Sequence, residues 1–479
     1  MKASLVPAFL LLAAPLLRAQ SVTVSGNVIP GTAASPNWVI NGTLSLGETG
    51  TGTVTISNGG TVSNTTGYLG TRSSRYGYMY VDGAGSLWSN SLDIAVGNDG
   101  YGTLIITNGG KVTNRTGYIG INSWSGGWVN VSGAGSLWEN TADLIVGNAE
   151  YSSSGSVDIR SGGTVTAVQT TLGMNYGAVG TVAISGAGSS LQSSSSVYVG
   201  YMGSGTLTVS SGGNLYAGSG SGTVYLASIG RGTGVVNIGA YDLSNATTAG
   251  GIQASKIIFG SGSGGATLNF NQTDTTTLSA AISGGGTVNQ RGTGKTILTG
   301  TNTYSGATTV SAGTLVVNGS LTNSAVTVTS GGTLAGNGSL TNVVLQSGSY
   351  LSPGNSIGIL NATLVTWNAG ATLAFDLGDG ASDQLNLSGA LTKGGSGAYT
   401  FNFADAGWQT GETYTLAHFS STDFSASDFS YSNGDGFAGI FALSGNDLTF
   451  QLTAVPEPSA WALAACGAGA LALRRRRQR

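Results

Sequence analysis

The sequence predicts an all-β chain: a right-handed parallel β-helix, or β-solenoid, with coils of about 25 residues, a tighter second section and a C-terminal β cap. Three observations predict it. First, one phrase recurs eight times, beginning at Gly52, Gly77, Gly102, Gly127, Gly155, Gly180, Gly205 and Gly234, at spacings of 25, 25, 25, 28, 25, 25 and 29 residues. Second, an apolar residue stands two and four places after each of these glycines, from Val54 and Ile56 to Val236 and Ile238, with mostly Thr, Tyr, Asn or Asp between. That period of two belongs to a strand with one buried face. Third, each unit carries two more short apolar pieces. One follows a turn (Val62, Leu87, Val112, Leu137, Val165, Leu215), and the other ends in glycine (Leu69-Gly70, Val96-Gly97, Ile119-Gly120). Three strands and three glycine-rich corners make one coil, and like residues stack on like. The residue before the turn glycine alternates (Gly59, Ala84, Gly109, Ala134, Gly162, Ala187, Gly212), so the repeating unit is a pair of coils.

In chain order, residues 1–19 read as a secretory signal peptide: Lys2, the apolar run Leu5–Leu17, then Arg18-Ala19-Gln20 as the cleavage zone. Residues 20–40, with Pro30 and Pro36, are expected to cap the first coil, because an open parallel edge invites pairing with other chains. Residues 41–240 are the repeat array. Residues 241–398 form a second β-helical section, in which Gly313-Thr-Leu and Gly332-Thr-Leu are 19 residues apart and the coils are therefore tighter. Residues 399–454 are richer in aromatics and read as a cap of antiparallel strands.

Composition narrows the function. Of 479 residues, 82 are Gly, one is His and 8% are charged; the net charge is −3, with no basic face for nucleic acid. The one cysteine, Cys466, lies in the tail, so no disulfide is available to an exported body and the ladders must hold it together unaided.

Residues 455–479 carry a specific arrangement: Val455-Pro456-Glu457-Pro458-Ser459, an apolar stretch Ala460–Leu473, then Arg474, Arg475, Arg476 and Arg477. A basic cluster after an apolar span stays in the cytoplasm. This closely resembles the PEP-CTERM sorting signal, with Pro456, Glu457 and Pro458 at its motif and the arginines as stop-transfer. The resemblance implies an exosortase partner at the inner membrane of a Gram-negative bacterium. It also implies transient anchoring by a C-terminal transmembrane helix, then delivery to the cell surface or to an exopolysaccharide matrix. A plain C-terminal anchor would explain the span and arginines but not the Pro-Glu-Pro. The array resembles the repeats shared by PEP-CTERM proteins and type V secretion passengers. The stretch Gly294-Lys-Thr-Ile-Leu-Thr-Gly-Thr-Asn-Thr-Tyr-Ser-Gly306, within about 291–319, resembles the autotransporter-associated β-strand repeat. No autotransporter barrel is expected in the remaining residues; the tail takes its place.

Chemistry finds little footing. Asp93 and Asp143 share a coil position 50 residues apart, a spacing that two coils would reduce to roughly 10 Å. That would suit a pair of glycosidase carboxylates, but no third polar partner recurs with them. His418 stands far from any nucleophile. Asp376, Asp379 and Asp383 miss the calcium-loop spacings and read as a turn. No catalytic residue, metal or cofactor is therefore expected. Aromatics are the better signal: Trp88 and Trp138 share one position, Tyr78 and Trp128 another, and rings along a flat face stack on sugars. The competing reading is that they cover corners. The expected function is a non-catalytic, exported structural or adhesive protein of the surface or matrix. The alternatives are a polysaccharide-binding module using the aromatic stripe and, less favoured, a β-helix carbohydrate-active enzyme.

Overall fold

A computed structural model describes residues 19–242, 246–433 and 438–453. Among these residues there are strands, two short 3-10 turns and no α-helix. One sheet of 17 strands runs the length of the molecule, from Ser21–Gly26 to Ser421–Thr422. All its pairings are parallel except the first, where Ser21–Gly26 lies antiparallel on Gly52–Ser57 and covers the edge of the first coil. The eight leading glycines stand on one another in this sheet: Gly52 pairs with Gly77, Gly77 with Gly102, and so on to Gly234. The sixteen apolar residues at the second and fourth places after them point inward, none more than 2% exposed. Burying each stabilises the coil by roughly 1.5–3 kcal/mol.

The other two faces change partway along. An 11-stranded sheet from Val28–Ile29 to Ala281–Gly284 and a 9-stranded sheet from Asn37–Val39 to Gly251–Gln253 flank the array. Two 8-stranded sheets, beginning at Thr275–Leu278 and Thr301–Asn302, then take their places. The loss of rhythm after Gly239 is thus a change of two faces while the third continues through Gly265–Asn271, Thr287–Gln290 and Thr308–Val310. In the tighter section Gly313 stacks on Gly332. The polar phrase around Asn302 is a buried corner. Asn302 Oδ1 accepts the Ile282 N–H at 3.0 Å, and the Tyr304 hydroxyl lies 2.6 Å from Thr308 Oγ1, which lies 2.7 Å from Ser324 Oγ.

The leading glycines do not serve a positive φ; their role is close approach. A Cβ on Gly102 would stand 2.2 Å from Gly97 N and 2.7 Å from the Val96 carbonyl carbon. Gly97, one corner earlier, has φ 77°, and a Cβ there would meet Gly126 O at 2.1 Å. Two glycine columns therefore close this corner backbone against backbone, which no side chain permits.

The pairing of coils has a physical cause. In one coil Asn58 (φ 53°) and Gly59 (φ 87°) form a two-residue turn of the I′ kind, closed by Gly60 N–H to Ser57 O at 3.0 Å. In the next, Gly83–Ser86 forms a turn with Gly85 at φ 82°, closed by Ser86 N–H to Gly83 O at 3.1 Å. The second turn is one residue longer. The buried Ser86 Oγ donates to Asp82 O at 2.6 Å and accepts the Gly59 N–H at 3.0 Å, tying the two turn types together. Ser136 and Ser189 accept the Gly109 and Gly162 N–H groups in the same way.

The region expected to be antiparallel continues the parallel stack further than its sequence implied. Tyr399–Ala406 lies parallel to both Thr372–Gly378 and Phe429–Asn433. Among the described strands of this region only Asp447–Thr453, on Thr413–His418 and on Ala438–Ser444, pairs antiparallel. Phe403, Phe441 and Phe450 fill this end, with ring centroids 4.7 Å (Phe403–Phe450) and 4.8 Å (Phe441–Phe450) apart.

Candidate binding surface

The one-residue difference between the turns decides where the tryptophans go. Thr61 pairs with Leu87 and Val62 with Trp88; Val112 pairs with Trp138. Leu87 and Leu137 are thereby turned outward and only half-buried, while Trp88 and Trp138 point inward at 0% exposure. The expectation that Trp88 and Trp138 present rings for glycan stacking is therefore corrected: they are core residues. Trp88 Nε1 donates to Asn64 Oδ1 at 2.7 Å, and Asn64 Nδ2 donates to Asn90 Oδ1 at 2.6 Å. Trp138, Asn114 and Asn140 repeat the arrangement at 2.7 and 2.7 Å. The indoles fit because the adjacent face carries glycine: a Cβ on Gly67 would lie 2.4 Å from Trp88 Cζ2, and one on Gly117 2.6 Å from Trp138 Cζ2.

Tyr78 and Trp128 do lie on the outer side of the long sheet, half-buried. Tyr78 is stacked against Tyr76 at 6.5 Å, and Trp128 Nε1 donates to Asp158 Oδ2 at 2.9 Å. Pro456, Glu457, Pro458 and Arg474, Arg475, Arg476 and Arg477 lie outside the described residues, as does the C-terminal span.

Three of the carboxylates considered for chemistry, Asp93, Asp379 and Asp383, have structural partners. Asp93 accepts Arg115 Nε and Nη2 at 3.0 and 2.9 Å and the Thr116 N–H at 3.1 Å. The hydrogen-bonded Arg115 guanidinium holds the Asp93 carboxyl below its ordinary range. Asp383 is 1% exposed and accepts the N–H groups of Gly358 at 2.8 Å and Asp376 at 2.9 Å, closing the turn. Burial nevertheless pushes its carboxyl up to about 7. Asp379 instead accepts Gln409 Nε2 at 3.0 Å, and the described residues contain no group of three metal-ligating side chains. His418 Nδ1 sits 2.7 Å from Asp447 Oδ1 on the exposed surface.

Sequence reasoning missed a different set of rings. The segments that lead into the long sheet carry Tyr76 and Tyr101 as first residues of their strands and Trp124, Tyr151 and Tyr176 in the loops before theirs, 45%, 45%, 72%, 63% and 44% exposed, in five successive coils. The signal was an aromatic one to four places before each of these leading glycines; its drifting offset hid it. Tyr76 and Tyr101 stack at 5.3 Å. The Tyr176 hydroxyl accepts Arg231 Nη1, whose guanidinium lies 5.1 Å from the ring centroid. Trp124 has φ 68° at the third place of the turn Asn122–Ser125, where the turn Asn175–Ala178 has Gly177 at φ 80°. A left-handed tryptophan costs roughly 1–2 kcal/mol, and at 72% exposure burial offsets little of it. Beside it an open recess is lined by Glu48, Arg72, Arg75 and Asp99. Arg72 Nη2 pairs with Glu48 Oε1 at 3.3 Å, and Asn122 Nδ2 donates to Asp99 Oδ1 at 2.7 Å.

Residues 288–317 match the passenger-associated-transport-repeat family. They cover about one and a half coils of the tighter section, including the buried Asn302–Tyr304 corner. A 49-residue stretch, 10% of the chain, is 59% identical to the adhesin BmaC autotransporter of Brucella suis biovar 1 (strain 1330). The chain spans about 1% of the length of that protein. Among solved structures, the Haemophilus influenzae Hap adhesin aligns over 82% of this chain and 64% of its own at 11% identity, with a TM-score of 0.17, and nothing here rests on that alignment. The chain therefore carries one autotransporter-associated passenger repeat within a β-solenoid built from its own repeats.

Proposed function

We propose that this chain is an exported, non-catalytic surface protein of structural or adhesive kind, a rigid rod that displays its corners outside the cell. The observation that carries the reading is the passenger repeat built into the solenoid at residues 288–317. The 49-residue likeness to an autotransporter adhesin supports it. Several polar groups serve the scaffold: Ser86 ties two turns, Asn64 and Asn114 ladder with tryptophan, Asp93 holds Arg115 and Asp383 holds backbone N–H groups. The tail completes the reading. Pro456-Glu457-Pro458, followed by the apolar stretch Ala460–Leu473 and the arginines, resembles a sorting signal that an exosortase reads. Arg474–Arg477 resist crossing the membrane until cleavage.

The test follows the protein in its own cells. Surface shaving and mass spectrometry should recover the body at the surface without an Arg474–Arg479 peptide. Glu457→Ala should leave the full-length chain in the inner membrane. An intact tail on the surface protein would reduce the segment to an ordinary anchor. A body confined to the cytoplasm, or turnover of a polysaccharide by the purified chain, would overturn the whole reading. A second reading, polysaccharide binding, is favoured by the exposed rings along the corner.

A further inference from the structure

We infer that the corner formed by Tyr76, Tyr101, Trp124, Tyr151 and Tyr176 binds an extended, β-linked polysaccharide laid along the rod; the inference rests on the surface-protein reading. The rings are large, exposed and successive, and they are held on a backbone that the ladders make rigid. A protein or lipid partner would call for a continuous apolar patch. Here Trp124 stands beside Glu48, Arg72, Arg75 and Asp99, where Arg72 pairs with Glu48 and Asn122 donates to Asp99. An exposed indole beside donors and acceptors matches a pyranose, which has a C–H face and a rim of hydroxyls.

The spacing selects the linkage. Successive coils are about 4.8 Å apart, so the alternate coils that carry Tyr76, Trp124 and Tyr176 recur at about 10 Å along the rod. In an extended β-1,4-linked chain successive sugars turn over, so the same face returns once per disaccharide, a length close to two coil steps. A coiled α-linked chain does not keep that register. Trp124, held in a left-handed turn and the most exposed of the five, is the central contact.

The probes are cellohexaose and chitohexaose, with maltohexaose as the coiled comparison, titrated calorimetrically into the intact body. At least one β-linked probe should bind and maltohexaose should not. Trp124→Ala with Tyr176→Ala should weaken binding about tenfold or more. Tyr241→Ala, a ring 74% exposed at the opposite end of a strand of the long sheet, should leave it unchanged. Circular dichroism should not distinguish these variants, since the altered side chains are largely exposed. Full affinity in the double variant, equal binding of maltohexaose, or no binding of any probe overturns the inference. A double variant still exported and displayed would leave the surface-protein reading standing in each case.

Discussion

Trp138 and Gly117 form a size-matched pair, and exchanging their volumes should show it. Trp138→Val installs the residue that the neighbouring coils carry at that ladder position, Val112 and Val165. It empties most of a fully buried indole site and leaves Asn114 Oδ1 without its donor. Truncating a buried tryptophan to alanine costs about 3–5 kcal/mol. Valine retains part of that, and the orphaned amide oxygen adds ~1–3 kcal/mol, so about 4 kcal/mol is expected in all. Gly117→Val places a Cβ 2.4 Å from Asn140 Oδ1 and 2.6 Å from Trp138 Cζ2. Overpacking of that kind costs about 1–3 kcal/mol. In the double variant the new valine enters the space the indole left, while the faces beside it already carry Ile94 and Leu144 in the same column. The pair should therefore be more stable than the sum of the singles by ~1.5–3 kcal/mol. A solenoid opens coil by coil, so urea unfolding should be read together with amide exchange of residues near 112–165. Costs that add to within ~0.5 kcal/mol would refute the packing argument, as would protection lost evenly along the rod.

Two further outcomes concern the glycine corner and the buried carboxylate. Gly102→Ala forces a Cβ against the Gly97 backbone at 2.2 Å and should cost about 3 kcal/mol or more. Gly85→Ala meets nothing nearer than 3.4 Å and should cost only the ~1–2 kcal/mol of its left-handed φ; equal midpoints in urea would refute the distinction. Asp383 has a folded-state pKa raised to about 7 by burial, so its contribution is fully present below its ordinary value of 3.8 and is lost as pH rises through 7. The coils around Gly358 and Asp376 should open more readily at pH 8 than at pH 4.5, and Asp383→Asn should flatten that dependence. A parent protein with pH-independent exchange at these amides would contradict the assignment.

Much of this molecule was legible in its sequence because period two and a fixed coil length are local consequences of strand geometry. A strand buried on one face must alternate, and stacked coils must repeat; Val54, Leu104, Val129 and Val182 could therefore be placed in one core from their spacing alone. The passenger repeat was legible by resemblance, and its Gly313 does stack on Gly332 of the next coil. What spacing could not fix was side-chain direction after a turn of different length. One extra residue between Asp82 and Leu87 reverses the side chains of the strand Leu87–Asn90 relative to the count from the leading glycine. Trp88 and Trp138 therefore went into the core, where Gly67 and Gly117 leave room, and the exposed rings proved to be those of the entry loops. The loops keep no constant offset, so only folding shows that Tyr76, Tyr101, Trp124, Tyr151 and Tyr176 share a corner. The continuity of the long sheet past Gly239, where two faces are exchanged and the third is not, was likewise settled by the tertiary structure, because strand pairing between coils depends on register across space and leaves no period in the chain.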